Sequence, residues 1–208
     1  MTQSRLSALV AVAVMAAAMW VFEIVDTAAQ GTLDAAFGLR AWTTEEPWTI
    51  VTAPFMHANF SHLVSNSVPF LVLGGLVALS GLSRFLWTTA IVAGVSGIGV
   101  WLFSTPGTLT VGASGLIFGY FGYTVLRGII ERKTVDIVIM ICVIIFYGTM
   151  IFGVLPQQTG VSWQAHLFGF LGGLLAAYVL PKRTADHRGY RGYGGGYGQG
   201  YGYGISRF

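Results

Sequence analysis

Ser114 stands in a run of small residues, Gly112-Ala113-Ser114-Gly115, where a loop leads into the apolar segment Leu116 to Leu126. Glycines on both sides let another backbone, or a substrate, come close to the hydroxyl. A lone serine is a weak nucleophile and needs a base. The chain has 4 histidines, and three of them, His57, His62 and His166, fall inside or at the edge of hydrophobic stretches. No Asp or Glu occurs between Glu46 and Glu131, or between Asp136 and Asp186. Glu131 and Asp136 fall at the far end of their segments from Ser114, so the chemistry these residues suggest is a Ser-His dyad rather than an acid-completed triad. Three histidines also raise zinc. Against it, His166 is remote in sequence, no His-Glu-x-x-His pair exists, and the serine would be left without a purpose, so neither metal nor cofactor is expected. The single Cys142 allows no internal disulfide.

Such residues need elements to hold them. Charged residues make up 9% of the chain, hydrophobic ones 54%, and the mean hydropathy is +0.70. That exceeds what a soluble core requires and points to an all-α polytopic membrane protein, because the period-two alternation of a membrane barrel is missing. A net charge of +3, dispersed along the chain, gives no nucleic-acid footprint. Six spans are expected, at about 6–25, 57–83, 85–103, 112–127, 135–154 and 161–180. The first is too long for a signal-peptide core and reads as a membrane helix. Ten of the eleven basic residues fall on one side of this arrangement and only Arg40 on the other. Both termini are therefore expected in the cytoplasm. The domain reading is a six-helix membrane domain over 1–183 and a Gly/Tyr-rich, disordered cytoplasmic tail over 184–208.

Depth links the polar residues. Ser114 lies 13 residues before Arg127, His166 lies 14 before Leu180 and Asn66 lies 14 before Ser80. At about 1.5 Å per residue each stands about 20 Å above its cytoplasmic helix end. In a hydrocarbon core of about 30 Å all three share one level, about 10 Å below the outer surface. His62 and Asn66, spaced i, i+4, share one helix face. Serine and histidine in membrane helices often serve only as interhelical hydrogen-bond partners. Several of them at one depth, beside glycines, argue for a site instead.

These residues resemble the rhomboid family of intramembrane serine proteases over about residues 6–180. Gly112-Ala113-Ser114-Gly115 is similar to that family's nucleophile motif, and Ala165-His166-Leu167-Phe168-Gly169, continued to Gly173, to its base motif. His57, His62 and Asn66 have the spacing of its second helix. The resemblance implies a six-helix rhomboid bundle in which Ser114 attacks the scissile carbonyl and His166 serves as general base and acid. It assigns the oxyanion hole to His62, Asn66 and the Ser114 backbone N–H. Supporting roles go to His57, Gly112, Gly115, Phe118 and Gly169, with Phe118 placed to pack on the His166 ring. Where relatives commonly carry Trp-Arg in the first loop, this chain has Trp48-Thr49. Implied partners are transmembrane protein substrates and the lipid bilayer, with a bacterial plasma membrane as the location. A non-catalytic rhomboid-like scaffold in membrane-protein quality control is the alternative, although such relatives usually lack the serine or the histidine. A transporter would need ionisable residues across the lower half of the bundle, where none occurs.

Overall fold

A computed structural model describes residues 1–156 and 160–180. The tail beyond Leu180 lies outside the described residues, as does 157–159. The chain runs through α1 (Gln3–Ala28), α2 (Thr32–Phe37), β1 (Leu39–Arg40), α3 (Thr49–Thr52) and a 3-10 turn over Ala53–Phe55. It continues through α4 (Phe60–Ala78), α5 (Leu82–Phe103), β2 (Leu109–Thr110), α6 (Ser114–Glu131) and α7 (Thr134–Tyr147). A 3-10 segment (Gly148–Val154) extends α7, and α8 (Trp163–Val179) closes the bundle. The fold is an all-α membrane protein, and the only pairing of strands among the described residues is a two-residue one, Leu39 opposite Thr110 and Arg40 opposite Leu109. That short ladder ties the first long connection to the loop that delivers Ser114.

Apolar residues face outward here. α1, α4, α5 and α7 with its 3-10 extension are each long and apolar enough to cross a membrane. Their apolar windows are 28%, 33%, 39% and 6% buried. An apolar surface on this scale is stable only in lipid. α6 and α8 are the inner pair. Residues 115–124 of α6 are all buried, so this helix meets protein rather than lipid on every side.

Glycine sets the spacing of that pair. A Cβ on Gly169 would overlap the Gly115 carbonyl oxygen, and one on Gly173 would overlap that of Gly119. α6 and α8 therefore touch backbone to backbone, the close approach that small residues permit in a bilayer. Around them, Tyr120 is fully buried between Phe70 and Phe85. Thr89 gives its proton to the Phe85 carbonyl, so the Tyr120 hydroxyl donates to Thr89 Oγ1 at 2.8 Å.

Several boundaries differ from the sequence expectation for local reasons. α4 begins at Phe60, leaving His57 in the preceding turn, because Asn59 Oδ1 accepts the His62 N–H at 2.9 Å and caps the helix there. α6 runs a turn past Arg127 to Glu131 and ends at Arg132 in the left-handed region, φ 56°. Arg127 is buried, paired with Glu131 and bonded to the Leu180 carbonyl at 3.4 Å, rather than exposed at a helix end. The long connection after α1 is also more structured than a polar loop. Asp26 Oδ1 accepts the backbone N–H groups of Leu33 and Asp34 at 2.7 and 3.2 Å, capping α2 from the previous helix.

Candidate active site

Ser114 is the first residue of α6. Its loop is held from below at two points. The Gly112 N–H donates to the Ala53 carbonyl at 3.0 Å, and the Ala113 N–H reaches His57 Nε2 at 3.5 Å. His57 is only 1% exposed and meets the His62 ring edge-on at 5.2 Å. It supports the loop and does not reach the cavity. Gly112 has φ 117°, where a side chain would be strained, and a Cβ there would stand 2.6 Å from His62 Cε1 and 3.5 Å from Asn66 Nδ2. The missing side chain is what lets α4 bring His62 and Asn66 against the serine's own turn.

Asn66 is buried, and its Nδ2 has no hydrogen-bond partner in the protein. A buried, unsatisfied amide donor costs free energy unless something binds it. Beside it the opening turn of α6 presents backbone N–H groups. The first intrahelical bond of this turn runs from the Ile117 N–H to the Ala113 carbonyl, so the amides of residues 114–116 precede the helical ladder. They carry the positive end of the helix dipole. Donors converge on one spot from two helices.

α8 supplies the histidine. Ser162 caps the helix by accepting the Ala165 N–H at 3.2 Å, and the Ser96 hydroxyl donates to the Ala165 carbonyl at 3.0 Å. Ser96 also presses on Gly115, so α5 clamps the residue before His166 and the residue after Ser114 together. The His166 ring lies flat on Phe118, with centroids 4.0 Å apart and planes 7° from parallel. Its Nδ1 is 2.9 Å from the Gly153 carbonyl. A carbonyl oxygen can only accept, so the neutral ring carries its proton on Nδ1 and keeps Nε2 as the free acceptor.

Ser114, His62, Asn66 and His166 line one cavity of about 810 Å³. Its wall includes Pro69 of α4, Thr108 and Leu109 of the loop before α6, and Tyr147 and Met150 of the α7 end. A space of this size is large enough for ordered water and a short extended peptide. No group of three or more His, Cys, Asp or Glu able to hold a metal ion occurs among the described residues.

Two features had no sequence signal. Gly153 is one glycine in an apolar run, and only the fold puts its carbonyl at His166. The second is a set of acids, Glu23, Asp26 and Asp34, gathered on the far side of His57. Asp34 interacts with both other carboxylates and with the His57 backbone N–H. Burial, with the Asp26 and Glu23 charges added, pushes its carboxyl up to about 6.

The Rhomboid domain profile matches residues 44–183, which take in His57, His62, Asn66, Ser114 and His166. An uncharacterized protein of Mycobacterium tuberculosis is 42% identical over 179 residues, which cover 81% of this chain and 74% of that protein. The Bacillus subtilis protein named "Putative rhomboid protease YdcA" is 29% identical over 137 residues, 64% of this chain and 67% of the other. In Arabidopsis thaliana, "Rhomboid-like protein 11, chloroplastic" is 33% identical over 150 residues, covering 65% of this chain and 53% of that one. A domain match over most of the chain, with its motif residues drawn into one cavity, leads to one conclusion: this integral membrane protein belongs to the rhomboid family.

Proposed function

We propose that the protein is an intramembrane serine endopeptidase that hydrolyses peptide bonds in or near the transmembrane helices of other membrane proteins. One observation carries this reading: the unpartnered Asn66 Nδ2 facing the turn that presents Ser114. A scaffold has no use for a buried amide donor left without an acceptor, whereas an acyl-transfer site needs one where negative charge develops.

In this mechanism Ser114 Oγ attacks the scissile carbonyl while His166 Nε2 takes its proton. The developing oxyanion accepts hydrogen bonds from Asn66, His62 and the Ser114 backbone N–H. Each such donor contributes about 3 kcal/mol where water is scarce. His166 then protonates the leaving amine, and a water attacking the acyl-enzyme passes its proton back through the same nitrogen. Phe118 keeps the ring in plane throughout. A peptide bond in a helix is shielded by its own hydrogen bonding, so substrates carry Gly, Pro or small polar residues near the cut. Six helices span a bacterial plasma membrane with both termini in the cytoplasm, which opens the cavity near the outer face.

Cleavage of a fluorogenic transmembrane substrate in proteoliposomes tests the reading. Ser114→Ala and His166→Ala are expected to abolish cleavage with the fold intact, and a fluorophosphonate probe is expected to label wild type but not Ser114→Ala. Full activity in either variant would place the chemistry elsewhere. A folded wild type that neither cleaves nor takes the probe would favour a non-catalytic scaffold.

A further inference from the structure

Among the described residues no carboxylate stands behind His166, yet its ring is not free to turn. The acceptor for Nδ1 comes from the 3-10 segment that ends α7, where the Gly153 carbonyl stands at 2.9 Å. Gly153 fits this place because it has no side chain. A Cβ there would meet Phe118 Cζ at 2.8 Å and His166 Nδ1 at 3.3 Å. The ring is thus fixed on one face by Phe118 and on its Nδ1 edge by a backbone carbonyl.

We propose that the Gly153 carbonyl is a positioning group for the reaction, doing for His166 what a third triad residue does elsewhere: holding the proton on Nδ1 and aiming Nε2 at Ser114. This rests on the reading of His166 as general base.

The acceptor can be weakened without touching a side chain. An α-hydroxy acid installed at position 154 of the full-length protein turns the 153–154 link into an ester, whose carbonyl is a poorer acceptor. The same replacement at position 152 removes a comparable backbone N–H while leaving the Gly153 carbonyl an amide. Two readouts are taken in bilayers: the tautomer of His166 by 15N NMR, assigned by comparison with His166→Asn, and the kinetics of transmembrane-substrate cleavage. The expected result is an Nδ1–H tautomer in wild type and in the 152 ester. The 154 ester is expected to give a mixture of tautomers and about a tenfold lower kcat at unchanged KM. An Nε2–H tautomer in wild type would overturn the proposal. So would a 154 ester that behaves as wild type, or equal losses in both esters. If wild type cleaves nothing, the protease reading fails on that readout alone, while the tautomers still decide the role of Gly153.

Discussion

Gly169→Ala adds one methyl group where α8 crosses α6, and its effect can be worked from the contact it creates. The new Cβ would overlap the Gly115 carbonyl oxygen and lie 2.9 Å from its carbon and 3.1 Å from Gly115 Cα. Carbon atoms in ordinary contact sit about 3.5–4.0 Å apart, so the two backbones must part by roughly 0.5–1 Å. Neither side can yield locally, because both partners are helix backbone. Ser114 adjoins Gly115, and His166 lies one turn before Gly169, so the parting passes directly into the Ser114–His166 distance. A misplacement near 1 Å costs about 10²-fold in rate, equivalent to about 2.7 kcal/mol of transition-state stabilisation. Overpacking of this kind lowers stability by about 1–3 kcal/mol, so the helical bundle survives. The assay is kcat/KM for a fluorogenic transmembrane substrate in proteoliposomes, with helicity followed in the same samples. Gly94→Ala on α5 is the control, since a Cβ there meets nothing within 4 Å. A Gly169→Ala enzyme with wild-type kcat/KM would refute the claim that backbone contact between α6 and α8 sets the catalytic geometry.

Three further outcomes are expected. Asn66→Ala lowers kcat about 10²- to 10³-fold through loss of an oxyanion donor, with KM and melting temperature little changed, because its Nδ2 bonds to nothing in the resting protein. Gly94→Ala leaves the rate untouched and raises stability by about 0.5–1 kcal/mol, the gain for replacing glycine in an open helical position. The Asp34 carboxyl, pushed up to about 6 by burial and by Asp26 and Glu23, binds its proton more tightly folded than unfolded. Its contribution is therefore full below about pH 4, the usual carboxylate value, and is lost as pH rises through 6. Melting temperature should fall across that window, and Asp34→Asn should flatten the fall; an unchanged pH dependence in the variant would remove Asp34 from the account.

The chain's apolar segments were readable because a bilayer imposes length and hydropathy on whatever crosses it, and α1, α4, α5 and α7 obey that constraint. α6 and α8 were readable for a different reason. Their glycines and polar residues weaken the hydropathy signal, but Gly115 and Gly119 on one helix and Gly169 and Gly173 on the other announce a close crossing. Side-chain chemistry follows the same division. Ser114, His62, Asn66 and His166 were legible as types at a common depth, and the fold draws them to one cavity. The backbone partner of His166 was not legible. The Gly153 carbonyl is an atom every residue has, and its role exists only because the end of α7 turns as a 3-10 segment beside α8. The acids around His57 escaped notice because Glu23 lies within an apolar span and Asp34 in what read as a polar loop. Their approach is a product of the turn at Gly31, φ 82°, which returns α2 onto the end of α1.

The start of α6 shows how the proposed hydrolytic site can be stable within a bilayer. Any helix start leaves unpaired amides, and in hydrocarbon each would be costly. This chain answers part of that cost in the loop before Ser114, where Gly112 donates to Ala53 and Ala113 approaches His57. It leaves Ser114 and Asn66 lining a cavity large enough for water, with Asn66 Nδ2 buried and unpartnered. In the proposed mechanism a bound substrate displaces the cavity water and meets the waiting Asn66 donor just where its carbonyl acquires charge. The donors are therefore fixed in place before substrate arrives, and little reorganisation remains for the reaction step. Filling the cavity from the α4 side, as Ser65→Phe would do at a residue that lines it, should exclude water and substrate together. That variant is expected to lose cleavage and fluorophosphonate labelling while retaining its fold; labelling at the wild-type rate would mean that water reaches Ser114 by another route.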